Sequence, residues 1–260
     1  MANAAETAVA RADLFTAVLS LADDHLILGH RVSEWCGHAP MLEEDLSLPN
    51  IALDLIGQAR SLYTYAGAVE AKGRDEDALA YLRLERDYRN LLMVERQNGD
   101  FAHTMLRQFY YASFMVPYWD WTANNSADET LRAIAGKAVK EVRYHLRHSS
   151  EWVIRLGDGT EESAARMADA VDTLHIYTGE MFQETTAMKA CAEARVLPRL
   201  NNLRGLWEQT VAQIFGQAFL TVPEVAYPQE GGRDGRHTED FGFLLAQLQY
   251  MQRTYPGLEW

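Results

Sequence analysis

Residues 137–150 read KAVKEVRYHLRHSS, and the reading of this stretch decides the fold. It places one acid and two histidines on a run with helical periodicity. Helical bundles that hold two iron atoms use Glu-x-x-His pairs, three residues apart, on facing helices. Here Glu141 and His145 are four apart. The stretch is a metal motif, the remnant of one, or an ordinary helix face.

A helical wheel narrows the choice. At about 100° per residue, with Glu141 at zero, Leu131, Ala138, Val142 and Leu156 fall at about 60–100°. Ala135, Leu146 and Val153 fall at about 120–140°, which completes an apolar stripe. Lys140, Arg143 and Arg147 lie on the opposite, solvent side. His145 falls inside the apolar margin and is expected to point inward, with Glu141 and His148 at the edge. A second helix repeats the pattern in NIALDLIGQAR (50–60). Asp54-Leu55-x-x-Gln58 matches Glu141-Val142-x-x-His145, and Leu48, Ile51, Leu55, Leu62 and Ala66 form its stripe.

Set against a di-iron ligand set, the two Glu positions are filled by Leu55 and Val142, and one His position by Gln58. A third helix should add a carboxylate, yet Phe101 to Trp119 contains no Asp or Glu. The first helix offers Asp23, Asp24 and Glu34, all of which could be solvated. The ligand count argues against a di-iron centre, because iron needs hard oxygen and imidazole donors. Two readings remain. One is a polar patch at the core margin, Glu141 bonding His145 and Asp54 bonding Gln58 one turn apart. The other is a mononuclear site at Glu141, His145 and His148.

The rest of the chain reads as helices. Spans are expected at 14–36, 48–72, 101–123, 127–156, 160–191, 199–219 and 238–253, with shorter pieces at 75–96. Pro49 is placed in the first turn of its helix, and Pro117 at a kink. Gly157-Asp158-Gly159 is a stop, and Thr160 an N-cap. Residues 221–237 look irregular. No linker is visible, so residues 1–260 are treated as a single all-α domain, a bundle of long helices with additional short ones. LGDGT and GGRDGR lack the features of phosphate loops and read as turns.

At 260 residues and 48% hydrophobic, the chain can bury a sizeable core. A net charge of −13 argues against nucleic acid as a partner. Cys36 and Cys191 form no CxxC and are read as buried thiols. MANAAETAVARADLF lacks the pattern of a secretory leader, and no apolar run is long enough to span a membrane, so the expected compartment is the cytoplasm. His25 and His30 are read as structural or exposed. His103 and His175 have no visible nucleophile partner, and no nucleophile elbow occurs. The aromatic run FYYASFMVPYWDW (109–121) is either a helix packed on several sides or a partner interface.

Six runs carry a resemblance: EWCGHAP (34–40), NIALDLIGQAR (50–60), ERDYRNLL (85–92), KEVRYHLRHS (140–149), RLGDGTEES (155–163) and RHTEDFGFLLAQLQYMQRTYPG (236–257). With these the sequence resembles the C subunits of bacterial ring 1,2-phenylacetyl-CoA epoxidases. The resemblance implies a ferritin-like fold and a non-catalytic, structural role in aerobic phenylacetate degradation. It implies no cofactor in this chain. A homologous A subunit would carry the di-iron centre and hold most of the phenylacetyl-CoA. A small B subunit and a reductase using NADPH, flavin and an iron–sulfur centre would complete the complex. It further implies that this chain lies beside the coenzyme A tail, at Asp87-Tyr88-Arg89-Asn90 and Lys189-Ala190-Cys191. Arg89 and Lys189 would meet phosphates and Tyr88 would stack on adenine; the alternative is a solvated helix face. The rival functions are a ferritin-like protein with its own metal site, as oxygenase or iron store, and a free-standing CoA-binding module.

Overall fold

The computed structural model describes residues 9–258. Residues 1–8, part of the N-terminal stretch considered for a leader, and residues 259–260 lie outside the described region. The elements are α1 (Arg11–Ser33), α2 (Leu42–Glu70), α3 (Glu76–Tyr81), α4 (Leu92–Glu95), α5 (Phe101–Asn125), α6 (Glu129–Gly157), α7 (Glu161–Leu174), α8 (Thr186–Glu193), α9 (Leu200–Gln217), α10 (Glu239–Leu248) and α11 (Tyr250–Thr254). Short 3-10 turns occupy Glu85–Asp87, His175–Phe182 and Gly232–Asp234. No strand occurs among the described residues.

Four long helices build a ferritin-like bundle. α1 pairs with α2 and α5 with α6, and α2 meets α6 across the gap between the pairs. The apolar stripes read from the wheel face inward: Leu48, Ile51, Leu55, Leu62 and Ala66 are buried, as are Leu131, Ala135, Ala138, Val142 and Val153. α5, α6 and α7 start on side-chain caps, whereas α1 and α2 do not. Asp100, Asp128 and Thr160 accept from the amides of His103, Leu131 and Ser163, which would otherwise lack partners. At the other end of α6, Gly157 lies against the end of α9. A Cβ there would stand 2.3 Å from the Ala218 carbonyl oxygen, so only glycine permits the approach.

Several expectations are corrected. α2 begins at Leu42, so Pro49 is inside the helix. The earlier start follows from Glu43, Glu44 and Asp45, which sit at the positive end of the helix dipole. The helix expected over 160–191 is broken by the 3-10 stretch His175–Phe182, where the Thr178 hydroxyl donates to the His175 carbonyl at 2.7 Å. The last helix is divided at Gln249. Cys36 is exposed, not buried; Cys191 is buried. The aromatic run is a helix packed on several sides: every residue from Phe109 to Met115 is buried, with Tyr118 and Trp119.

Asp23 and Asp24 are not solvated. Both are fully buried, and each is paired with an arginine distant in sequence. Asp23 accepts from Arg83, from the Tyr63 hydroxyl at 2.5 Å and from the Arg89 amide at 2.8 Å. Asp24 accepts from Arg233 Nη2 at 2.6 Å and the Leu91 amide at 2.7 Å. Burial pushes the Asp24 carboxyl up to about 6, with Arg233 opposing that rise. The loop containing GGRDGR does hold an anion, but one of the chain's own. Glu180 accepts from the amides of Leu92, Gly231 and Gly232, each at 2.8 Å. Glu95 likewise accepts from Asn90 Nδ2, His237 Nδ1 and the Thr238 amide. Four buried carboxylates thus tie α1, the segment 83–95 and the segment 231–240 together.

Candidate functional site

The layer between α2 and α6 carries the positions that the sequence sets against a di-iron ligand set. Leu55 and Val142, at the two Glu positions, are each 1% exposed. They fill the centre with hydrocarbon. Around them the polar residues pair crosswise between helices, not along them. Gln58 Nε2 donates to Glu141 Oε2 at 2.9 Å, and His145 Nε2 donates to Asp54 Oδ2 at 3.0 Å. The expected pairs Glu141–His145 and Asp54–Gln58 therefore do not form. A residue at the margin of the stripe points at the neighbouring helix, and its nearest polar partner lies there. One turn outward, His148 Nε2 donates to Glu44 Oε2 at 2.8 Å, and Lys137 Nζ stands 3.6 Å from Glu141 Oε1.

The mononuclear site is not assembled. Glu141, His145 and His148 each turn to a different partner on α2. Among the described residues no group of three His, Cys, Asp or Glu side chains comes together in a ligating cluster. A di-iron centre needs several carboxylates converging on one point. Here two of the positions are aliphatic and the nearby acids are already bonded across the gap, so the donor set does not fit.

His25, on α1, belongs to this layer, a placement that sequence reasoning misses. It is fully buried and lies near enough to Gln58 and His145 for both to act on its titration. Its Nδ1–H donates to the Leu21 carbonyl at 2.7 Å, with the Tyr111 hydroxyl 3.2 Å away. Burial pushes its pKa down to about 4, so the ring is neutral. Its Nε2 and Gln58 Oε1 are both buried without a partner. The signal lies in its position directly after two acids, but their partners, Arg83 and Arg233, are far away in sequence. His30 is also held at about 4 by burial, its ring edge-on to Tyr81.

The two segments expected beside a coenzyme A tail divide by exposure. Tyr88 is fully buried, with its hydroxyl donating to the Ala80 carbonyl at 2.6 Å and Arg83 stacked over its ring at 4.0 Å. It presents no face on which adenine could stack. Asn90 and Cys191 are buried as well, and burial pushes the Cys191 thiol up to about 12. Asp87 and Lys189 are exposed, and Arg89 and Ala190 half-buried. One nitrogen of Arg89 is occupied by the carbonyls of Arg86 and Tyr88.

The outer surface beside this layer is apolar on α2 and basic on α6. Leu42, Leu46 and Leu53 are 60–70% exposed and, with Pro49, follow helical spacing on one side of α2. On α6, Lys137, Lys140, Arg143 and Arg147 are exposed beside Tyr144. That concentration of positive charge stands out on a chain of net charge −13. No helix among the described residues is long and apolar enough to cross a membrane.

A family model described as phenylacetic acid catabolic protein matches residues 1–260. The chain is 44% identical over 242 residues to the C subunit of the 1,2-phenylacetyl-CoA epoxidase of Escherichia coli (strain K12). That match covers 93% of this chain and 97% of the relative.

Proposed function

This chain belongs to the phenylacetic acid catabolic protein family, and on that premise we propose that it is the structural C-type subunit of a multicomponent phenylacetyl-CoA epoxidase. It supports a di-iron A subunit and performs no chemistry itself. The observation that carries this reading is the layer between α2 and α6. Leu55, Gln58 and Val142, read from the sequence as former ligand positions, are buried, and Asp54 and Glu141 are bonded crosswise between the helices. The relative is named as one subunit of an epoxidase, which supports membership in an assembly. The iron centre then belongs to the A subunit, and NADPH, flavin and iron–sulfur chemistry to the reductase. The complex is completed by the small B subunit.

The apolar ridge Leu42, Leu46 and Leu53 supports assembly, because exposed apolar stripes of this kind mark protein contacts. A role beside the coenzyme A tail rests on the accessible residues Asp87, Arg89, Lys189 and Ala190. Tyr88, Asn90 and Cys191 act behind them as packing.

The test is to purify the chain alone and together with its A subunit, and to count metal per chain. The expected result is co-purification, with iron following the A subunit. About two irons per isolated chain, lost on His145→Ala, would sink the proposal. In the same assay Leu46→Asp or Leu53→Asp should weaken capture of the A subunit and leave the melting temperature of the free chain unchanged.

A further inference from the structure

A cleft of about 440 Å³ opens between the 3-10 stretch His175–Phe182, α9 and the irregular segment that follows α9. Its floor is aromatic. Phe182 and Trp207 are buried, their rings edge-to-face with centroids 5.5 Å apart. Val225 contributes to an aliphatic wall. The volume is at the low end of the range for small-molecule sites, about 300–1,000 Å³.

Two polar features single out the ligand. His175 lines the cleft yet is only 7% exposed. Its Nδ1 is 2.9 Å from the Tyr110 hydroxyl. Burial pushes the Tyr110 phenol well above its ordinary value and His175 below its own, so both are neutral at neutral pH. The Tyr110 hydroxyl can donate to Nδ1 or accept from it, and when it donates the imidazole proton sits on Nε2. In that tautomer the Nε2–H, on a residue 7% exposed, has no hydrogen-bond partner in the chain. At the rim, the Arg204 guanidinium lies 4.4 Å over the Phe182 ring. The carboxylate of Glu208 is 4.0 Å from it, beyond hydrogen-bond range. Glu208 also lines the cleft and pairs with Arg204 through charge alone, so a ligand carboxylate reaches the guanidinium by displacing that contact, and a dianionic phosphate is disfavoured by the acid beside it.

We propose that this cleft binds a small aromatic monocarboxylic acid, its ring against Trp207 and Phe182 and its carboxylate directed to Arg204 and the Nε2–H of His175. The site is separate from the α2–α6 layer and does not depend on the subunit assignment.

The experiment is calorimetric titration of the full chain, without partners, with phenylacetate as the probe. Saturable binding of one phenylacetate per chain is expected. Arg204→Ala, an exposed position, weakens it by about tenfold. Gly179→Leu abolishes it: Gly179 lines the cleft, and a Cβ there meets no atom within 4 Å, so the added side chain starts in open space; an unchanged melting temperature checks that the fold is kept. 2-Phenylethanol, which keeps the ring and lacks the charge, binds about tenfold more weakly than phenylacetate. Absence of saturable binding overturns the proposal. So does an affinity that both substitutions leave unchanged, or equal affinity for the alcohol.

Discussion

Replacing His25 by phenylalanine exchanges a buried titratable ring for a buried apolar one of similar shape. The fold holds this imidazole at a pKa of about 4, against 6.5 in its ordinary state, because it is removed from water. A base with a depressed folded pKa gives stability that is complete above 6.5 and is lost as pH falls toward 4. Between pH 7 and pH 5 that loss is about 2 kcal/mol, at roughly 1.4 kcal/mol per pH unit below 6.5. Phenylalanine has no proton to bind and escapes it. At pH 7 the variant should be less stable by about 1–2 kcal/mol, since the Leu21 carbonyl and the Tyr111 hydroxyl lose their contact with Nδ1. By pH 5 that deficit should close to near zero. Urea unfolding of both proteins at pH 7, 6 and 5, followed by helical ellipticity, reads the difference directly. Other groups titrate in the window. Asp24, raised to about 6, acts in the opposite sense and costs stability as pH rises from 3.8 through 6. These groups are common to both proteins and cancel in the difference. A deficit that stays constant across the three pH values would refute the assignment of His25 as a buried neutral ring.

Val142→Glu puts a carboxylate where the native side chain is 1% exposed and where His145 is already committed to Asp54. It should cost roughly 3 kcal/mol or more, seen as a lowered melting temperature, and ferrous iron should not restore it; recovery with iron would mean the layer can still ligate metal. Arg233→Met strands Asp24 without its buried counter-charge and should cost about 3–5 kcal/mol. Adding Asp24→Leu should recover most of that loss in the same unfolding assay. A double variant no better than Arg233→Met would show that the Arg233 bonds to the Ser20 and Arg89 carbonyls matter more than the charge pair.

The wheel locates the faces well. Leu55, Val142 and His145 point inward as their angles require, because helical periodicity is a local property that one segment of sequence contains. Pairing is not local. Glu141 and His145 are one turn apart, yet each bonds to a residue on α2 more than eighty positions away. A wheel gives a direction and not the distance to the next helix. Asp23, Asp24 and Tyr88 mislead for the same reason. Two adjacent acids look solvated until Arg83 and Arg233 arrive from elsewhere in the chain, and an aromatic among charges looks exposed until Arg83 covers it. The cleft beside His175 depends on a break in a helix that periodicity reads as continuous, and the hydroxyl of Thr178, bonded within that turn, gives no periodic signal.

The pairing of Asp24 with Arg233 also sets an order on biosynthesis. The two residues are 209 positions apart. At roughly 5–20 residues per second, Arg233 is added about 10–40 s after Asp24. Through that interval α1 carries an acid whose buried position has no counter-charge, and the cheapest states keep it wet or protonated. α1 can pair with α2 early, but the part of the bundle around Asp24 cannot seal until almost the whole chain has been made. A ribosome that stops short of residue 233 therefore releases a chain with an open seam.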